Sequence, residues 1–452
     1  MRMQQLIPFL LAPWLLTAAH ANPYETTLQN GLRIIVKEDR RAPTAVQMVW
    51  YRIGSMDEVD GASGVAHVLE HMMFKGTPSV GPGEFNKRVA AAGGRDNAFT
   101  SRDYTAYFQQ VPKEKLEDMI QLEADRMRHL NVDAKEFTQE IKVVMEERRM
   151  RTDDNPQAKL FEQMNAVAFQ AHPYRRPIIG WMNDLETMTA ADAKAWYDTW
   201  YVPNNAYVVI TGDVDHKEIF ALAEKYYGPL EGHALPRSKP QIEPAQHGTR
   251  RISVKAPAEL PVLIMGYKAP ILRDADRDSE PYALEMLSAI LDGHDAARFN
   301  KKLVREDQVA LSVGIDYDPT ARGPGMLYLH GSPSEGKTVA DLEAALRDEI
   351  ARVQKEGVSE PELKRAKAQL LASQVYKLDS MFGQAMEIGQ TESAGIPYQK
   401  IDRMLEKLQK VSAAEVQAVA RKYFTDDTLT VGVLDPQPLD GKPRRPGVAT
   451  RH

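Results

Sequence analysis

Two stretches of this 452-residue chain repeat the same series of local signals 223 residues apart. Thr189-Ala-Ala-Asp-Ala-Lys-Ala-Trp-Tyr-Asp-Thr-Trp-Tyr201 and Ser412-Ala-Ala-Glu-Val-Gln-Ala-Val-Ala-Arg-Lys-Tyr-Phe424 each begin on a Ser/Thr N-cap with an acid three residues on, and each ends on an aromatic pair. Each then meets a turn (Pro203-Asn204-Asn205; Asp426-Asp427-Thr428) and a β-rich run (Tyr207–Thr211; Thr430–Leu434) without a gap. Upstream, a strand at Val46–Arg52 leads to a helix at Val65–Phe74, and a strand at Leu263–Ala269 leads to a helix at Ser279–Leu291. The chain is therefore expected to be an internal duplication, and its length suits two domains of roughly 200 residues.

Strands follow one another directly, as in Leu32–Lys37 into Thr44–Arg52. That favours an α+β unit, a mainly antiparallel sheet with helices packed on one face, over a doubly wound parallel sheet. The expected division is a first repeat at 22–235, a Pro/Gly/His-rich linker at 236–250, a second repeat at 251–435 and a flexible, Pro- and Arg-rich tail at 436–452. Residues 1–21 read as a secretory signal peptide: Arg2, an apolar run from Leu6 to Ala19, and an Ala19-His20-Ala21 cleavage site. The run is too short to span a bilayer, which needs ~20 residues, so the mature chain is expected to be exported without a membrane span, into a bacterial periplasm.

The formal net charge of −6 argues against nucleic acid as a partner. The chain has no cysteine, which excludes a disulfide scaffold, a thiol nucleophile and any Cys-ligated metal. A metal here must be held by His and carboxylates.

His67-Val68-Leu69-Glu70-His71 lies in a segment with Val65, Val68, Leu69, Met72 and Met73 at helical spacing. Residues 67 and 71 then lie one turn apart on one face, and two imidazoles so placed can chelate zinc. Glu70 flanks them as a candidate general base for a metal-polarised water. A catalytic zinc needs a third protein ligand. Glu140, Glu146 and Glu147 lie on a charged helix within Thr138–Arg151. Residues seven apart return to one face within ~20°, so Glu140 and Glu147 point alike and Glu146 is rotated away. One of that pair can bind metal while the other supports the site.

His67-x-x-Glu70-His71 with Glu147 farther on resembles the inverted-zincin metallopeptidase family of pitrilysin, insulysin and the mitochondrial processing peptidase. Gly64–Thr77, Gly93-Gly94 before Asn97-Ala98-Phe99-Thr100-Ser101, His172–Pro177, and Asn204-Asn205-Ala206 with Gly212-Asp213 carry the same resemblance over roughly residues 25–435. It implies one zinc per chain on His67, His71 and Glu147, Glu70 as the base, and Glu140 as the supporting acid. Asn97, Ala98, Phe99 and Thr100 are implied to be the strand that receives an extended peptide. The implied function is a zinc endopeptidase acting on small unfolded or extended polypeptides, the alternative being a non-catalytic peptide-binding or assembly subunit. The resemblance is nearest to the exported bacterial two-repeat subunits, and it implies a dimer that closes like a clamshell. One departure stands out. Active members bring an Arg–Tyr pair from a C-terminal repeat, but this chain has Val304 and Leu311 at those positions, with Arg305 and Tyr317 nearby. A related partner chain supplying the pair would complete the site.

Overall fold

The computed structural model describes residues 23–237 and 239–439. The signal-peptide reading and most of the tail lie outside those residues.

The first sheet is built from β1 (Tyr24–Thr27), β2 (Arg33–Glu38), β3 (Thr44–Tyr51), β4 (Arg95–Thr100), β5 (Thr105–Pro112) and β6 (Ala206–Gly212), in the order β1-β2-β6-β3-β5-β4. The second contains β7 (Arg250–Pro257), β8 (Val262–Ala269), β9 (Ala310–Tyr317), β10 (Gly325–Pro333) and β11 (Leu429–Gln437), in the order β7-β11-β8-β10-β9. With β1 removed the two orders are the same. In each sheet one pair is parallel, β2 with β6 and β7 with β11, and the other pairs are antiparallel. The registers repeat as well. Arg33 lies opposite Tyr207 and Arg250 opposite Thr430, and Tyr207 and Thr430 are the 223-residue equivalents. β11 runs on to Gln437, paired with Pro257, so ordered strand continues past residue 435, where the sequence suggested that a flexible tail begins.

The central strands β3 and β6 are buried along nearly their whole length, so both faces of the first sheet must be covered. Alternate side chains take opposite faces. Val49, Tyr51 and Val208 pack with Val68, Leu69 and Met72 of the helix Val65–Met72 from the same repeat. Val46, Met48, Trp50 and Val209 pack instead with Met381, Ala385 and Ile388 of the helix Met381–Ser393, which belongs to the second repeat. The loan is returned. Leu160 and Met164 of the helix Pro156–Ala168, from the first repeat, pack with Val254, Val262, Ile264 and Leu434 of the second sheet. Each repeat's own helices thus cover one face of its sheet, and the other face is covered by a helix from its twin. No helix among the described residues is long and apolar enough to cross a membrane.

The exchanged helix approaches β3 closely at Gly389. A Cβ there would fall 2.0 Å from Trp50 Cε2, and Tyr207 Oη donates to the Gly389 carbonyl at 2.7 Å. Overpacking a tight core costs about 1–3 kcal/mol. Gly389→Ala should lower the chemical-denaturation midpoint by a destabilisation in that range; an unchanged midpoint would contradict this packing.

Candidate metal centre

The helix Val65–Met72 begins at Gly64, whose φ of 89° favours glycine and where a Cβ would meet Ile179 O at 2.6 Å. Its first N–H groups are answered from a distance. Glu58 accepts from Gly64 N and Ala66 N, both at 2.9 Å, which places a carboxylate at the positive end of the helix. Burial pushes the Glu58 carboxyl up to about 8, and those two N–H groups pull it back. Arg176 in turn donates to Glu58 O at 2.5 Å, and Ser63 Oγ donates to Asp184 at 2.5 Å. The segment from His172 to Asp184 therefore clamps the start of this helix.

Because Val65, Val68, Leu69 and Met72 face the core, residues 67, 70 and 71 face the other way. The helix Ala134–Arg148 presents Glu140 and Glu147 to them. Glu147 Oε2 lies 3.3 Å from His71 Nε2 and 3.7 Å from His67 Nε2. The two imidazoles are in edge contact, their centroids 4.8 Å apart. His71 Nδ1 is 2.9 Å from Glu140 Oε1, and Lys75 pairs with the other oxygen of Glu140. Glu147 Oε1 is 2.7 Å from Arg151 Nη2, while the buried Oε2 has no hydrogen-bond partner. Glu146 is turned outward and pairs with Arg149 at 3.1 Å, as the seven-residue spacing requires.

This donor set fits zinc. One atom each from His67, His71 and Glu147 lie within 4.8 Å of one another, and two ligands bound at ~2.1 Å to a tetrahedral zinc lie ~3.4 Å apart. The orphaned Oε2 of Glu147 is aimed between two imidazole nitrogens, and a cation there would satisfy all three. Burial, then the neighbouring His71, holds the His67 imidazole down at about 3, the neutral form a metal needs. Burial also disfavours charge on His71, but the Glu140 and Glu147 carboxylates outweigh it and raise that imidazole to about 9. A proton and a metal compete for the same ring nitrogen.

Glu70 accepts from Thr100 Oγ1 at 2.5 Å. Burial raises its carboxyl above the ordinary range, and the Thr100 hydroxyl opposes the shift. Thr100 ends β4, one of the sheet's two edge strands, which pairs with β5 alone. Along β4, Asn97 is exposed, Ala98 is buried, and Phe99 lies against Trp50 and Tyr104. A second grouping, Glu38, Asp215 and His216, also brings possible ligand atoms together. Its oxygens are committed, with Asp215 Oδ1 capping Lys217 N and Glu218 N and Glu38 Oε1 held by His216 N and Nδ1.

Residues 33–181 match the model of the insulinase family (peptidase family M16), and residues 187–370 match that of the peptidase M16 inactive domain. The zinc protease PqqE of Helicobacter pylori is 30% identical over 433 residues, covering 92% of this chain and 95% of that protein. The chain belongs to the M16 family. An uncharacterized zinc protease of Mycobacterium tuberculosis, Rv2782c, is 30% identical over 416 residues, 90% of this chain and 92% of its own. Among solved structures, a protease from Helicobacter pylori superposes with a TM-score of 0.87 at 28% identity, over 92% of this chain and 100% of that one. The periplasmic protease PqqL from Escherichia coli shares the fold, with a TM-score of 0.79 at 19% identity, over 92% of this chain and 48% of that one.

The M16 assignment explains the asymmetry between the repeats. The helix Glu280–Asp292, which follows β8 as the helix Val65–Met72 follows β3, contains no histidine. Nor do the residues at the expected Arg–Tyr positions serve the site. Val304 packs against the second core, and Leu311 is 58% exposed on β9. Of the nearby candidates, Arg305 donates to Asp295 O at 2.5 Å and Tyr317 to Pro270 O at 2.6 Å. Sequence reasoning passed over Lys75 and Arg151, although each lies four residues after a histidine or glutamate of the site, a spacing that marks same-face pairs. It also missed Glu58, whose role rests on a loop that no periodicity reveals.

Carboxylates that orient a metal-binding imidazole are worth about 10–100-fold in metal affinity. Glu140→Gln should weaken zinc binding by that factor in chelator competition, with Glu146→Gln unchanged. Equal affinity for Glu140→Gln and wild type would remove Glu140 from its place behind His71.

Proposed function

We propose that this chain is a zinc-dependent endopeptidase cleaving small unfolded or extended polypeptides, with His67, His71 and Glu147 as ligands and Glu70 as general base. The observation that carries this reading is the unpartnered Glu147 Oε2 facing two imidazole nitrogens, with the half-buried Glu70 one residue before His71. Zinc bound there would supply Lewis acidity, polarising the scissile carbonyl and acidifying water. The rest falls to the chain's own side chains. Glu70 takes a proton from the attacking water and delivers it to the departing amine. Thr100 holds one oxygen of Glu70 and leaves the other free for this proton. Lys75 and Glu140 fix His71, and Arg151 leaves Glu147 a single oxygen for the metal. Asn97–Thr100 offers the backbone groups of an edge strand to an extended peptide.

Export to the periplasm by residues 1–21, with cleavage after Ala21, is part of the proposal and rests on that segment's pattern. The Escherichia coli relative is described as periplasmic, which is consistent with it. Partnership with a related chain rests on Val304 and Leu311. That same relative is about twice this chain's length in matched terms, 48% of it being covered, consistent with two such units working together. The lost oxyanion donors should cost the isolated chain ~10²–10³ in rate.

Glu70→Gln should retain zinc and lose hydrolysis of a quenched-peptide library by a factor of ~10²–10⁴. Turnover equal to wild type would displace Glu70 from its role. Adding a related subunit that carries the Arg–Tyr pair should raise the wild-type rate, and an isolated chain as active as any mixture would remove the partner from the account.

A further inference from the structure

At the junction of the repeats lies a cavity of about 320 Å³ lined by Arg33, Arg52 and Arg322, with Glu392, Gly395 and Pro397 around it. Two of the arginines are neutralised. Arg33 pairs with Glu392 at 2.6 Å and with Glu25 at 3.0 Å. Arg322 pairs with Asp57 at 2.8 Å. Arg52 lies over the Tyr207 ring, 5.0 Å from its centroid, and has no carboxylate partner among the described residues. The carboxylate of Glu392 is already spent on Arg33 and on Tyr398 N.

The duplication supplies this cavity with a twin. Tyr51 lies opposite Ala206 and Tyr267 opposite Leu429, and Ala206 and Leu429 are again 223 residues apart. Arg52 and Lys268 are therefore equivalent. So are Arg33 and Arg250, and each grips the end of an exchanged helix, Arg33 through Glu392 and Arg250 through the carbonyls of Val167 and Ala168 at 2.7 and 3.0 Å. Lys268 lies over the Phe169 ring at 3.7 Å, and Arg52 over Tyr207, rings that come from different places in the two copies. In this twin the space is filled by the chain itself. Glu243, from the segment joining the repeats, accepts from Gln170 N, Ala171 N and His172 N at 2.8–2.9 Å and stands 3.8 Å from Lys268 Nζ. Gln170 and His172 are the second and fourth residues after the helix Pro156–Ala168; Gly395 and Pro397, which line the cavity, hold the same places after Met381–Ser393. Their backbone does not repeat the three N–H groups that hold Glu243, because Gly395 N donates to Glu392 O, Ile396 N to Thr391 O, both at 3.1 Å, and Pro397 has no N–H. The cation on the strand end, Arg52 in place of Lys268, is what the two cavities share.

We propose that the Arg33–Arg52–Arg322 cavity binds the carboxylate of a ligand through the guanidinium of Arg52, the counterpart of the Lys268 that faces Glu243 in the twin. The ligand's carboxylate faces the uncompensated guanidinium of Arg52, a charge-assisted pairing for which the planar fork of arginine is suited. Two sources share this chemistry, the free C-terminus of a peptide and a small free carboxylate. Because residues of both repeats line the cavity, a bound ligand bridges them. The proposal is independent of peptide hydrolysis and is tested without it.

The test is calorimetric titration of the full chain in EDTA with an acetylated tripeptide acid, with its C-terminal amide, and with citrate. A charge-assisted contact worth about tenfold or more predicts that the acid binds at least that much more tightly than the amide, or that citrate binds where neither peptide does. The first outcome assigns a peptide terminus and the second a small carboxylate. Arg52→Gln should abolish the preference, and Arg52→Lys should retain part of it with an unchanged melting temperature. Equal binding of acid and amide by the wild type, with no citrate binding that Arg52→Lys and Arg52→Gln alter, would overturn the proposal. So would a folded Arg52→Gln chain that keeps the preference.

Discussion

The rest of the structure depends on one packing constraint, the apolar back face that each sheet cannot cover from its own repeat. β3 and β6 are buried on both sides, and an uncovered row of Val46, Met48, Trp50 and Val209 would be a large exposed apolar patch. The helix exchanged from the other repeat removes it. This packing also positions the candidate metal centre. The helix Ala134–Arg148, which bears Glu140 and Glu147, passes through a π-turn at Arg149–Asp153 into the helix Pro156–Ala168, which is seated on the second sheet. Arg148 ties that path to Glu162 and to Gly180 O, both within 2.8 Å. The second repeat, which lacks a counterpart of His67 and His71, is thus the platform from which Glu147 is presented.

The junction continues at the end of β4. Tyr174 hydrogen-bonds to Asp103 and receives Gly323 N at 2.8 Å, and Arg322 N donates to Asp103 at 2.9 Å. Asp103 lies just past β4, so the hairpin between β9 and β10 braces the end of the edge strand that carries Thr100. Glu70, the edge strand and Glu147 arrive from three elements, and each is located by contact with the second repeat or with the clamp formed by Glu58 and Arg176.

How much of this was legible in the sequence follows from the range of each signal. The duplication could be read because caps, turns and aromatic pairs are local, and it returned as two sheets of the same order and register. The pair Glu140 and Glu147 could be read because seven residues return to one helix face, and Glu146 is turned outward as that geometry demands. The exchange of helices could not be read. Pro156–Ala168 and Met381–Ser393 are amphipathic whichever sheet they cover, and periodicity does not name a partner. Arg52 was equally silent, because its significance comes from comparison with Lys268 across a duplication that had to be seen in register. Leu311 and Val304 are a different case: their departure from the family pattern was visible in the residues alone, and their surroundings offer no substitute.

The central claim is that one metal ion is held by two imidazoles from one helix and one carboxylate from another, on the first repeat alone. Anomalous scattering at the zinc edge from crystals of the zinc-loaded chain tests it directly. The account predicts one strong peak bounded by His67, His71 and Glu147. A peak at Glu38, Asp215 and His216 instead, or none in protein saturated with zinc, would contradict it.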